Sequence, residues 1–335
     1  MQAKWNLLLL GLFIAILILI GLLAGRFTVY LTSRVMILSI FALGYNLLLG
    51  RTGLLSFGHA AFYAAGAYGL GLFSLHVNPH PLAGIAVGVA FACLLALVIG
   101  FFCVRHTEIY FAMLTLAFGM MVFSLIWNLR DITGGDDGLV GIPRAPISLG
   151  IFSIPINKPQ YFYFLIVAFL MLSIVLIHRI RHSPFGLVLS GIRENDKRVE
   201  FAGVSLKNYR LSAFIISGTF AGLAGTLGTL LERNANPFGA HWSHSAEPVL
   251  VSLIGGIQTF SGPLVGSAIF IILREIIERF TQNWMLWFAI ILLLIIMGFR
   301  GGVVGGLSRI SAKLFLHRRT VDGLLKKNEH LSSEK

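Results

Sequence analysis

The residue with the strongest claim to chemistry in this chain is His59, an ionisable side chain in GRTGLLSFGHAAF (50–62), between long apolar runs. An imidazole so placed can line a pathway, cap a broken helix or sit in satisfied packing. A second stretch, GGIQTFSGPLVGSAIF (255–270), has the same make-up: small residues, a serine, then Gly-x-Ala-x-Phe. Transporters are often built from two related halves with helices broken at corresponding places. Two unrelated glycine-rich segments would give the same pattern. Asn46 and Asn128 stand at the ends of apolar runs and need do no more than hydrogen-bond a neighbour.

Other chemistry is missing from the sequence. No Asp or Glu falls in the middle of an apolar run; Glu108, Glu275 and Glu278 lie near ends. Ion-coupled transporters usually need an intramembrane carboxylate or a dedicated ion site, so that class is disfavoured. There is no G-x-x-x-x-G-K-[ST] phosphate loop, H-E-x-x-H or G-x-S-x-G. Cys93 and Cys103 are ten apart in one predicted helix, a spacing that suits packing rather than a disulfide or metal site. The expectation is no catalytic residue, no metal and no cofactor held by this chain.

The elements that must position these residues are apolar spans. Of 335 residues, 56% are hydrophobic and 12% charged, about half the charged share of a soluble protein. The chain reads as an all-α polytopic membrane protein of about ten transmembrane helices, some short or broken. Clear spans are 6–24, 35–49, 82–104, 109–127, 161–177, 211–231 and 284–299. Residues 53–75 are apolar enough to cross but irregular at their start. Gly262-Pro263 forbids one straight helix through 248–280, which divides into 248–258 and 263–277. Residues 1–24 resemble a signal peptide, yet the apolar run from Leu7 to Ala24 is long for a signal core and is expected to be a retained first span. Small-residue pairs (Gly218 and Gly222, Gly84 and Gly88, Gly262 and Gly266) invite close helix approach, within the chain or between subunits.

Between two spans lies HRIRHSPFGLVLSGIRENDKRVEFAGVSLKNYR (178–210), with seven Lys/Arg and three Asp/Glu. A simple return across a membrane needs about five residues. Ser183-Pro184 starts a helix, Gly203 can stop one and Ser205 can cap another, so the segment reads as a helix–turn–helix docking element. With ten spans and the N-terminus inside, 18 Lys/Arg are cytoplasmic and eight external; nine spans would put the eight basic residues of 300–335 outside, against the positive-inside bias. The +12 net charge therefore marks cytoplasmic loops rather than nucleic-acid binding. Residues 128–160 become a turn-rich external loop, either a partner surface or a connection. The organisation expected is a transmembrane permease domain over 1–308 and a basic cytoplasmic tail over 309–335.

The chain resembles the permease subunits of ABC transporters for branched-chain amino acids, of the LivM kind. The resemblance spans about residues 35–308 and rests on five ordered blocks. These are ALGYNLLLGRTGLLSFGHAAFYAAGAY (42–68), EIYFAMLTLAFG (108–119), TGGDDGLVGIP (133–143), SPFGLVLSGIRENDKRVEFAGVSLKNYRLSAFIISGTFAGLAGTL (183–227) and GGIQTFSGPLVGSAIF (255–270). It implies a pore subunit in the bacterial inner membrane, with both termini cytoplasmic. Its implied partners are a homologous second permease, two cytoplasmic ATPases that hydrolyse the ATP, and a periplasmic solute-binding protein. The resemblance makes Gly186, Arg193, Glu194, Asn195 and Gly203 parts of a coupling helix seated in an ATPase groove. By the same analogy Asn46, Ser56, Gly58, His59, Ser261, Gly262 and Gly266 border the translocation pathway. The chain departs from the pattern at Leu187, where such permeases often carry Arg, and at Lys197-Arg198, which replace small residues. Cargo other than branched-chain amino acids (urea, amides or sugars) and an ion-coupled transporter remain the competing readings.

Overall fold

The computed structural model describes residues 2–106, 108–149, 152–298 and 301–306. In chain order the elements are α1 (Gln2–Leu23), α2 (Arg26–Thr52), α3 (His59–His76), α4 (Pro81–Cys103), α5 (Glu108–Asn128), α6 (Arg130–Thr133), β1 (Leu139–Val140), β2 (Ile147–Leu149) and β3 (Phe152–Ile154). They continue with α7 (Pro159–Arg181), α8 (Pro184–Glu194), α9 (Asp196–Phe201), α10 (Leu206–Glu232), β4 (Asn234–Ala235), a 3₁₀ turn (Pro237–Ala240), α11 (Trp242–Gly255), α12 (Gly262–Phe280) and α13 (Trp284–Gly298). The protein is all-α and polytopic. Among the described residues, α2, α4, α5, α7, α10 and the helix opening at Trp284 are long and apolar enough to cross a membrane. The tail 309–335 lies outside the described residues.

The bundle has two ends. At one, β1 pairs with β4 and β2 with β3, both antiparallel. At the other, α8 and α9 fold back between α7 and α10. Arg144 joins the 128–160 loop to the strand end: its guanidinium donates to the carbonyls of Leu230 and Leu231, the last turn of α10, and lies 4.6 Å from the Phe162 ring. A cation there satisfies carbonyls that the helix leaves unpaired. Burial, with Arg233 beside it, pulls the Arg144 pKa down to about 10.

The core is a seam of touching backbones. A Cβ on Gly66 would stand 2.1 Å from the Gly222 carbonyl oxygen, and one on Gly88 2.5 Å from that of Gly66. On Gly225 it would meet the Tyr63 carbonyl at 2.0 Å. Only hydrogen fits at these crossings of α3, α4 and α10, and no residue larger than glycine can be seated without moving a helix. The Gly84/Gly88, Gly218/Gly222 and Gly262/Gly266 pairs therefore all serve contacts inside this chain.

Three expectations are corrected. The second span is not 35–49 but a helix of 27 residues, α2, that carries Arg26, Arg34 and Arg51 within it. The span placed at 248–258 begins six residues earlier, at Trp242, and contains Pro248 in its interior. That start brings Glu247 into the helix, directly before Pro248. The 178–210 loop is also shorter as a loop, because α7 runs on to Arg181 and α10 starts at Leu206. Neighbouring helices supply the packing that lets these ends tolerate charge.

Candidate translocation site

Two crossings are only partly helical, and they meet inside the bundle. After α2, the chain turns at Gly53, whose φ of +77° suits glycine, and runs without helix through 53–58 before α3 begins at His59. After α10, residues 233–241 pass through β4 and the 3₁₀ turn before α11 begins at Trp242. The Ala60 amide, in the first turn of α3, donates to the Ser245 hydroxyl of α11 at 2.8 Å. From that junction α3 runs toward the strand end, where a Cβ on Gly71 would meet Leu139 and Ile142. α11 runs the other way, toward the α8–α9 end, where Gln258 accepts from Arg181.

Non-helical backbone within a bilayer must find partners inside the protein. Side chains supply them. The Tyr45 hydroxyl donates to the Ser56 carbonyl at 3.0 Å and accepts from the Ser56 amide at 3.2 Å. The Thr115 hydroxyl accepts from the Phe57 amide, and the Ser56 hydroxyl from the Gly58 amide. Gly58 itself is pressed against α5, where a Cβ would sit 2.3 Å from the Thr115 carbonyl oxygen.

His59 is fully buried. Its Nδ1 is 2.8 Å from the Ser56 hydroxyl and its Nε2 2.8 Å from that of Ser217. The edges or faces of Tyr45, Phe62 and Phe214 close around the ring at 4.8–5.6 Å between centroids. A neutral imidazole gives one donor and one acceptor, and both are used. Of the three roles open to it, the one the geometry fits is packing at the head of a broken helix.

The 255–270 stretch is a different device. It is a hairpin between α11 and α12 at the α8–α9 end. Gly256 has φ +115°, and a Cβ on Gly255 would meet the Gly262 carbonyl oxygen at 1.8 Å. Gly266 packs on the Val251 carbonyl, Gly262 is buried, and Ser261 is exposed without capping α12. Asn46 links the hairpin to α2 by donating to the Thr259 carbonyl at 3.3 Å. The other non-helical stretch that follows a 27-residue helix and leads into a shorter one is 233–241, which has no compositional likeness to 53–58.

Nearer the strand end lies a cavity of about 430 Å³. Its polar lining includes Arg34, Glu232, Asn234, His244, Glu247 and Arg274, and its apolar lining Ile37, Phe41, Tyr63 and Ala67. Tyr63 and His244 meet edge-on at 4.6 Å, with Phe41 5.6 Å and 5.7 Å from them, forming an aromatic cluster at the wall. None of Asn46, Ser56, Gly58, His59, Ser261, Gly262 and Gly266 lines this cavity. The sequence reading missed the charged residues that do: spans were ended at Arg34, Glu232 and Glu247, and Arg274 fell inside 263–277 without being singled out. Their signal was present: each sits within one or two turns of an apolar run's end.

At the other end, α8 and α9 form a short hairpin. Ser183 caps α8 by accepting from the Gly186 amide, Asn195 caps α9 by accepting from Arg198, and Gly203 (φ +80°) ends α9. Ser205 precedes α10 without a side-chain cap. Gly186 is buried where a Cβ would meet the Ile180 carbonyl oxygen at 2.4 Å. Arg193 donates to the Gly50 carbonyl at 2.5 Å, and Arg51 returns the contact by donating to Ser190 at 2.6 Å. Arg210 pairs with Asp196. Gly186, Arg193, Asn195 and Gly203 thus build the hairpin and clasp it to the end of α2. Its outward surface carries Glu194, Leu187 (74% exposed) and Phe201 (90% exposed).

The family model for the branched-chain amino acid transport system permease component matches residues 27–299. The chain belongs to this family. It is 28% identical over 286 residues to the high-affinity branched-chain amino acid transport system permease protein LivM of Escherichia coli (strain K12), covering 78% of this chain and 66% of that relative. The LivM of Salmonella typhimurium gives the same identity and coverage. A probable branched-chain amino acid transport permease protein LivM of Methanocaldococcus jannaschii is 24% identical over 248 residues, 70% of each chain. The chain spans just under two thirds of the length of the two bacterial relatives. No solved structure matches.

Proposed function

We propose that this chain is the pore-forming permease subunit of an ABC importer that carries branched-chain or related amino acids across the bacterial inner membrane. The carrying observation is the conjunction of family membership with an α8–α9 hairpin rigidly clasped to α2 and presenting Leu187 and Phe201 outward. Exposed apolar side chains on a basic, well-braced hairpin favour docking of a protein partner over contact with water. The reading places that end, with both termini, in the cytoplasm, where two separate ATPase subunits seat on the hairpin and hydrolyse ATP. It gives the strand end to a periplasmic solute-binding protein and pairs the chain with a homologous second permease. The chain itself is a transport subunit, not an enzyme, and holds no cofactor of its own.

Motion of the docked ATPases reaches the bundle through a short route. The hairpin holds α2 by its last turn, and α2 touches the 53–58 segment through Tyr45 and the α11–α12 hairpin through Asn46. Reconstitution of the chain with its ATPases, second permease and binding protein in proteoliposomes tests the reading. Leucine uptake should require ATP and survive an uncoupler. Phe201→Asp should lower ATP-driven uptake about tenfold, the scale set by loss of one buried aromatic anchor. Uptake that needs no ATP, or that collapses with the proton gradient, overturns it.

A further inference from the structure

The cavity near the strand end carries open polar groups of both signs. Arg34 makes no hydrogen bond or ion pair among the described residues; its guanidinium only approaches the Tyr30 ring, at 6.0 Å. The other lining arginine is committed: Arg274 donates to Glu278 at 2.8 Å and lies 4.8 Å from the Trp284 ring. Two buried polar atoms on lining residues, His244 Nε2 and Asn234 Oδ1, have no hydrogen-bond partner among the described residues. The His244 carbonyl also lacks its usual helical donor, because the residue four further on is Pro248. Glu247 stands 3.3 Å from His244 Nδ1 and close enough to both arginines to feel their charge. Buried polar groups left unpaired cost free energy, and a cavity that collects them is built to be filled by something polar.

The filling must satisfy a cation and an anion that share one lining and leave an apolar part for Ile37, Phe41 and Ala67. A plain anion would be repelled by Glu247 and a plain cation by Arg34. We propose that this cavity binds a small apolar α-amino acid as its zwitterion, carboxylate on Arg34 and ammonium on Glu247. The volume of about 430 Å³ falls within the roughly 300–1,000 Å³ typical of small-ligand pockets. This inference rests on the transport reading and adds to it: the membrane chain itself inspects cargo, through charge at both ends of the backbone group. Glu232, which accepts from Tyr30 at 3.1 Å, stands at the exposed mouth.

The test uses the full chain in lipid nanodiscs without ATPases, with saturation binding of leucine, of 4-methylpentanoate (no ammonium) and of isoamylamine (no carboxylate). Leucine should bind saturably, and each truncated probe at least about tenfold more weakly, the scale of one lost charge-assisted contact. Arg34→Gln should weaken leucine about tenfold and leave isoamylamine unchanged. Glu247→Gln should weaken leucine about tenfold and leave 4-methylpentanoate unchanged. This crossed pattern separates a lost contact from a misfolded variant, which loses every probe at once and is replaced by Arg34→Lys and Glu247→Asp judged by the same crossing. Absence of leucine binding to the native chain, equal binding of the three probes, or variants that bind leucine as tightly as the native chain overturns the proposal. ATP-driven import by the assembled system that persists without the pattern overturns the cavity assignment alone. The pattern without ATP-dependent import overturns the transport reading alone.

Discussion

Each broken crossing carries a histidine in the first turn of its helix, His59 in α3 and His244 in α11, and the two are treated in opposite ways. His59, at the head of α3, has both ring nitrogens bonded to hydroxyls and is walled in by aromatic rings. His244, in the first turn of α11, uses Nδ1 on Glu247 and leaves Nε2 unpartnered beside a cavity. A closed polar cluster contributes to holding the fold; an open one is available to a ligand. The lesson is that burial alone did not mark the interesting histidine: the fully enclosed one is structural.

Breaking the closed cluster should have the largest effect. His59→Ala removes two hydrogen bonds, strands the Ser56 and Ser217 hydroxyls and opens a void, for about 3 kcal/mol of destabilisation. Thermal unfolding in detergent should show it, with transport per folded molecule changed only modestly. Next comes Tyr45→Phe, which strips the hydroxyl serving both the amide and the carbonyl of Ser56 and should cost about 2 kcal/mol by the same measurement. Arg144→Ala, remote from both histidines, should cost about 1 kcal/mol by uncapping α10, and sets the scale for an ordinary lost cap. His244→Ala should cost no more than Arg144→Ala, about 1 kcal/mol: it gives up the Glu247 contact and the ring packing on Tyr63 and Phe41, but its Nε2 has no bond to lose. Leucine binding to that variant should nonetheless weaken. Equal destabilisation by His59→Ala and His244→Ala would erase the contrast.

Much of the fold is legible from apolar run length. The long apolar helices, the break at Gly262-Pro263 and the helix start at Ser183-Pro184 follow from local rules that tertiary packing does not reverse, while Gly203 stops α9 rather than the helix that opens at Ser183. The depth of the breaks does not follow. Residues 53–58 sit inside the bundle because Tyr45 on the preceding helix and Thr115, 58 residues further on, satisfy their amides. No local pattern announces such a partner. The resemblance between 50–62 and 255–270 misled for a related reason: glycine serves a close approach at Gly58 and a positive φ at Gly256, and composition reports both alike. The cavity charges were hidden by a rule sound for isolated helices, that a charge ends a span. Arg34 and Glu247 line the same cavity, and that compensation is invisible until the helices are assembled.

The seam at Gly66, Gly88, Gly222 and Gly225 limits how the molecule can change shape. Where main chains rest directly on each other there are no long side chains to swing aside, so α3, α4 and α10 must tilt or slide together like planks nailed edge to edge. Any change of shape must then carry this block as one piece, and a graft of bulk anywhere along the seam would jam the machine rather than retune it.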